Sequence, residues 1–160
     1  MSKHTPPPEA FEPAFIDGLR AVFEEKIPFN QVLGLKISSL RPERVQGHID
    51  MQPHLVGHFS QNRVHGGVIS AVLDAMGGLA CMAAIGARHM SESPEQRLHR
   101  FIKLGTIDLR IDYLRPGISE RFELNAEVLR LGSRVASTRM EFRSADDKLL
   151  AVGSGAYIVS

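Results

Sequence analysis

The chain is 160 residues long, 43% hydrophobic and 23% charged, and its 19 Lys plus Arg against 18 Asp plus Glu leave a net charge of +1. That length supports one sound core with little room for a second, and the ordinary composition excludes disordered and fibrous classes. Near-neutral charge argues against an electrostatic grip on nucleic acid, and a single cysteine, Cys81, excludes an intrachain disulfide framework or a cysteine metal cluster.

Residues 1–9, with Pro6, Pro7 and Pro8, have the composition of a loose tail and lack the apolar core of a signal peptide. Over 10–26, Phe11, Phe15, Leu19, Val22 and Phe23 recur at helical spacing and Pro28 follows as a stop, which predicts a short amphipathic helix. We divide the chain there, with 1–26 as tail and helix and 27–160 as the main domain. Residues 27–34 read as a connection that packs Phe29 and Leu33. Segments 35–40 and 43–51, parted by Arg41 and Pro42, alternate as a hairpin with Val45, Gly47, Ile49 and Met51 on one face. From Pro53 to Val64 there is no period, and a loop is expected to deliver His58, Ser60, Gln61 and Asn62 to the start of a helix over 66–88.

The longest apolar stretch, around 75–87, reads as too short and glycine-rich to span a bilayer, and a cytoplasmic protein with no membrane partner is expected. Residues 88–99 are polar and turn-rich. Four alternating segments follow, over 106–114, 122–131, 133–143 and 149–159, which predict an antiparallel meander. The expected class is α+β; one central helix cannot cover both faces of the sheet, although a strongly curved sheet could wrap around it.

Two features of that helix carry chemistry. A start at Gly66 leaves backbone N–H groups without intrahelical acceptors at the positive end of the helix dipole, a good place for an oxyanion. Asp74 lies between Ala71, Val72, Leu73, Ala75 and Met76, where an unpaired carboxylate is costly. The eight positions between them correspond to about 12 Å of helical rise, so one helix cannot bring both to one carbonyl. If both serve one substrate, the second comes from another copy of the helix across a symmetric dimer.

His65-Gly66-Gly67-Val68-Ile69, Asp74, Gly77-Gly78 and the run Asp112-Tyr113-Leu114-Arg115-Pro116-Gly117 resemble the hotdog-fold thioesterases of the PaaI-like group, over roughly residues 27–159. The resemblance implies a curved antiparallel sheet around a central α-helix, a homodimer joined through its sheets and paired into a tetramer, and hydrolysis of acyl-coenzyme A (acyl-CoA) thioesters without metal or cofactor. It further implies that the Gly66 N–H polarises the thioester oxygen and that Asp74 of the other subunit acts as base or nucleophile. Thr106 matches the residue that orients the attacking water. Relatives carry an asparagine six or seven residues before the histidine, where this chain has Phe59 and His58; His58, Gln61 or Asn62 takes that polar role.

Each candidate has a plainer reading. Gly66 and Gly67 suit a tight helix entry, His65 a hydrogen bond within the loop as well as catalysis, and Thr106 a simple preference for strands. Gly77 and Gly78 allow close approach to the sheet or room for an acyl chain. Arg130, Arg134 and Arg139, around one turn, suit the phosphates of the CoA carrier or plain solvation. His48, His54, His58 and His65 lack the spacing of a zinc helix, no phosphate-binding loop is present, and Ser70 has no nucleophile elbow. A dehydratase would want a histidine and an acid side by side, which His65 and Asp74 on one helix are not. The remaining alternative is a binding or sensing protein of the same fold, without turnover.

Overall fold

A computed structural model describes residues 11–160, so the expected tail over 1–9 lies outside the described residues. Helix α1 (Pro13–Arg20) starts with proline at a position whose N–H is not needed, and buries Phe15 and Leu19. Its last turn widens over Ala21–Lys26, where the Ile27 N–H reaches back five residues to the Val22 carbonyl. Pro28 does end this helix, but it also opens α2 (Pro28–Leu33), closed by Gly34 at φ 71°. The stretch expected to be a connection is therefore helical. It buries Leu33 as anticipated but leaves Phe29 60% exposed.

The hairpin forms as β1 (Lys36–Leu40) and β2 (Val45–Asp50), with Val45, Gly47 and Ile49 on the buried face. The segment read as an aperiodic loop contains a small antiparallel ribbon, β3 (Val56–His58) with β4 (Arg63–Val64). It leads into α3 (Gly66–Arg88), a 23-residue helix whose bounds match the sequence expectation. Unlike the 75–87 stretch by itself, α3 taken whole is long and apolar enough to cross a membrane by length and composition, and most of its apolar length is buried within the fold. The polar segment after it is not all turn. Ser93 and Gln96 form a reciprocal capping box and Pro94 begins α4 (Pro94–His99). Fully buried Arg97 pairs with Glu12 and lies 4.4 Å from the centre of the Phe15 ring, fastening α4 to α1.

The remaining strands are β5 (Gly105–Tyr113), β6 (Arg121–Leu131), β7 (Val135–Ser144) and β8 (Leu149–Ile158). They join the hairpin in one antiparallel sheet of order β1-β2-β6-β7-β8-β5. Only β6, β7 and β8 follow one another as a meander; β5 crosses to the far edge and pairs with β8, while β6 pairs with β2. The curved sheet wraps around α3, which contacts β2, β5, β6, β7 and β8, the hotdog arrangement. Val72, Leu73, Met76 and Leu79 of the helix pack in one core with Phe122, Leu124, Met140 and Phe142 of the sheet and with Phe15, Leu19 and Phe23 of the N-terminal helix.

Candidate active site

The start of α3 is fixed by bonds from both sides. The His65 N–H donates to the Leu55 carbonyl (2.9 Å) and the Val64 N–H to that of Gly117 (2.9 Å). The His65 side chain caps the helix, with Nδ1 accepting from the Gly67 N–H at 2.8 Å. This bond requires Nδ1 to be unprotonated, so that nitrogen is not free to serve as a base. The N–H groups of Val68 and Ile69 go to the His65 carbonyl. Of the four N–H groups a helix leaves over, only that of Gly66 has no acceptor among the described residues. The Gly66 carbonyl accepts from the Tyr113 hydroxyl at 2.9 Å, which ties the first turn to the end of β5.

Two turns further on, the half-buried Asp74 carboxylate is held by two hydroxyls from the sheet. Thr106 donates to Oδ1 at 2.8 Å, and Tyr157 donates to the same oxygen at 3.1 Å and to the Asp74 carbonyl at 3.0 Å. Hydrogen bonds to a charged group contribute roughly 1.5–3 kcal/mol each, enough to offset partial burial of this carboxylate. Thr106 and Tyr157 stand directly opposite each other on β5 and β8, so both face the helix. A bulge at Ile107 lies immediately beside this pair. Burial, with a smaller contribution from the Asp74 charge, raises the Tyr157 phenol far above its ordinary value, so it remains protonated.

Asp74, Thr106 and Tyr157 form part of the wall of a cavity of about 270 Å³. Its apolar lining includes Phe23 and Ile27 from the N-terminal helical segment, Gly78 from α3, and Phe101 and Leu104 before β5. Two larger grooves, about 560 Å³ beside α4 and about 930 Å³ beside the β3–β4 ribbon, contain none of these three polar residues. The two glycines of α3 have separate uses. A side chain at Gly77 would overlap the Tyr157 hydroxyl, whereas Gly78 opens onto the cavity.

The fold thus joins Asp74 with Thr106 and adds Tyr157, which sequence reasoning missed. Its sequence signal was slight: a mid-helix glycine at 77 and a small-residue run, Gly153-Ser154-Gly155-Ala156, leading to one aromatic ring. Gly66, Gly67 and His65 gather at the helix start, away from this cavity. His58 bonds Ser60 and stacks on Phe59, while Asn62, at φ 48°, lines the groove beside the ribbon. Arg139 pairs with Glu141, Arg130 and Arg134 are exposed around the β6–β7 turn, and none of the three lines the Asp74 cavity. Among the other histidines considered for metal, His48 meets Ser38 and His54 meets the Val32 carbonyl.

Comparison with known proteins assigns the fold to a family. The thioesterase superfamily profile matches residues 61–151. The chain is 38% identical over 138 residues, 86% of its length and 89% of the relative's, to the medium/long-chain acyl-CoA thioesterase YigI of Escherichia coli K12. A solved structure from Shewanella oneidensis, related to the thioesterase superfamily, is 37% identical with a TM-score of 0.84, covering 94% of this chain and 100% of that one. A thioesterase from Haemophilus influenzae shares the fold at 18% identity and a TM-score of 0.72, covering 94% and 92% of the two chains.

Proposed function

Since this chain belongs to the thioesterase superfamily, we propose that it is a cytoplasmic enzyme hydrolysing medium- and long-chain acyl-CoA thioesters to free acid and CoA, at a site shared by two copies of the chain. The observation that carries this reading is the Asp74 carboxylate, held by two hydroxyls at the wall of an apolar cavity. The acyl chain lies in that cavity against Phe23, Ile27, Phe101 and Leu104, with the thioester carbonyl at Asp74. The chain length follows that of the E. coli relative.

The oxyanion donor must come from elsewhere, because Gly66 of the same helix is about 12 Å of rise away. We assign it to Gly66 of the partner subunit, whose N–H is the spare donor of the first turn. Pairing is supported by β5, an edge strand whose outer side is unpaired among the described residues and which carries Ile107 at 56% and Tyr113 at 54% exposure. His58, Asn62, Gly67 and His65 then approach the substrate with Gly66. The phosphates of CoA remain outside, where Arg130 and Arg134 are the less encumbered cations and Arg139 is shared with Glu141. Two such dimers form the tetramer.

Two routes use the same parts. As base, Asp74 takes a proton from water while the water oxygen bonds to the carbonyl carbon; collapse of the oxyanion breaks the C–S bond, and the departing thiolate takes that proton from Asp74. As nucleophile, Asp74 displaces the thiolate to form an anhydride, which water cleaves to the acid and the free carboxylate, the remaining proton of the water passing to the thiolate. Water is the only co-substrate in either route.

The test is release of free thiol from short, medium, long and aryl acyl-CoA esters by the purified protein beside Asp74→Asn. Turnover strongest on medium and long chains, falling at least 100-fold in the folded variant, is expected. Binding of these esters with no thiol release would instead make the protein a carrier or sensor of acyl thioesters.

A further inference from the structure

The two hydroxyls near Asp74 do not share its oxygens evenly. Thr106 and Tyr157 both donate to Oδ1, at 2.8 and 3.1 Å. No described residue donates to Oδ2, and Oδ2 is not among the buried polar atoms left without a partner, so it reaches accessible surface. The carboxylate is thus anchored through one oxygen and open through the other.

The anchor from β8 has been given space at a cost. Tyr157 is 1% exposed, with its ring packed in a cluster with Cys81 and Ala136. A Cβ at Gly77 would overlap its hydroxyl, and one at Gly155 would stand 2.8 Å from ring atom Cε2. Gly77 lies mid-helix, where glycine lowers helix propensity. The slot made by these two glycines therefore admits a ring whose hydroxyl donates to Asp74, with the Thr138 hydroxyl close by on β7. Phenylalanine would fill the same slot without the hydroxyl, so ring packing alone does not account for a tyrosine. The phenol stays protonated through burial and the neighbouring carboxylate charge, which makes it a donor to Asp74 and not a competing base.

We propose that Tyr157 is a positioning residue which, with Thr106, fixes Oδ1 of Asp74 so that Oδ2 is the oxygen that acts in thioester hydrolysis. The inference rests on the thioesterase reading above. It holds for either route: Oδ2 takes the proton from water, or Oδ2 bonds to the thioester carbon as the C–S bond breaks.

The experiment compares wild type, Tyr157→Phe, Asp74→Asn and the double variant on one medium-chain acyl-CoA. Steady-state kcat and KM are measured for the active forms, and single-turnover rates with enzyme in excess for all four. Tyr157→Phe should lower kcat at least 10-fold, with KM within 2-fold, and should still melt cooperatively, lower by only several degrees for the lost hydrogen bond. On the Asp74→Asn background the same substitution should change the rate less than 2-fold, because no reacting carboxylate oxygen remains to be aimed. An unchanged kcat in Tyr157→Phe, or equal fold-losses on both backgrounds, would overturn the proposal by making Tyr157 a packing residue only. Should Tyr157→Phe fail to fold, Thr106→Val removes the other Oδ1 donor from an exposed strand position. Its kcat should fall several-fold with KM unchanged, and an unaltered kcat would count against the anchored-oxygen scheme. Wild type without thiol release fails the thioesterase reading itself and this proposal with it, whereas activity lost in Asp74→Asn but kept in Tyr157→Phe overturns this proposal alone.

Discussion

The first and third turns of α3 offer opposite kinds of polar group, made in opposite ways. At the start, two of the four leftover N–H groups are satisfied by His65, through its ring and its carbonyl, a third by the Leu55 carbonyl, and the N–H of Gly66 has no acceptor among the described residues. All of that lies close in sequence, between Leu55 and Val68. At Asp74, the carboxylate is held by Thr106 and Tyr157, 32 and 83 residues further along. A helix end can thus be prepared for an anion by its own sequence, whereas a carboxylate on an apolar helix is usable only when a sheet supplies its partners. One helix carries a donor for negative charge and a bearer of it, too far apart to meet within one subunit.

The largest effect that would break this comparison is on the donor. Gly66→Pro removes the spare N–H at the one helical position where proline is at home, after a His65 already extended at ψ 137°. The fold should survive, and thiol release should fall on the order of 100-fold, as for loss of an oxyanion donor. Gly66→Ala keeps the N–H and brings its Cβ no nearer than 3.4 Å to Tyr113, so it should retain most activity. Equal losses in both variants would show that shape, and not the N–H, matters at this turn.

A second prediction tests whether the two ends act across subunits. Asp74→Asn and Gly66→Pro proteins, each nearly inactive, are unfolded together and refolded as a mixture. Random pairing gives half heterodimers with one intact site each, and activity should return to about a quarter of wild type. A mixture no more active than its parents would place both groups in separate roles.

Smaller effects sharpen the account of the Asp74 end. Gly78→Ala adds a methyl group facing the cavity, with Leu104 at 3.4 Å. It should raise KM several-fold for the longest acyl chains and leave short ones unaffected, as measured over a chain-length series. Cys81 is buried beside Tyr157, and burial pushes its thiol up to about 12. The folded enzyme should therefore keep full activity in iodoacetamide at pH 8, with mass spectrometry finding Cys81 unmodified. Rapid alkylation would mean that this part of the helix opens readily.

Much of the scaffold was legible because it repeats. The bounds of α3 follow from an apolar run with a glycine pair at one end, and β5 to β8 follow from alternation. The capping box Ser93-Pro94-Glu95-Gln96 is also a sequence signal, hidden because the short helix it opens has no apolar period to mark it. Thr106 is the instructive case. Counting by twos from the half-buried Leu109 and Ile111 would turn Thr106 outward; the bulge at Ile107 shifts the phase and turns it toward Asp74. A bulge is a property of pairing between strands, and pairing is not written in the alternation of either one.

The sequence by itself determined the helix, its free donor and the isolated carboxylate, because these depend on contacts within a few residues and on the period of apolar side chains. Tertiary structure decided that β5 lies beside β8 and not in meander order, that Thr106 and Tyr157 meet on one oxygen of Asp74, and that the N-terminal helical segment helps to wall the cavity. Those choices arise from which surfaces bury one another and from the register in which distant strands pair, quantities that exist only once the sheet has closed around the helix.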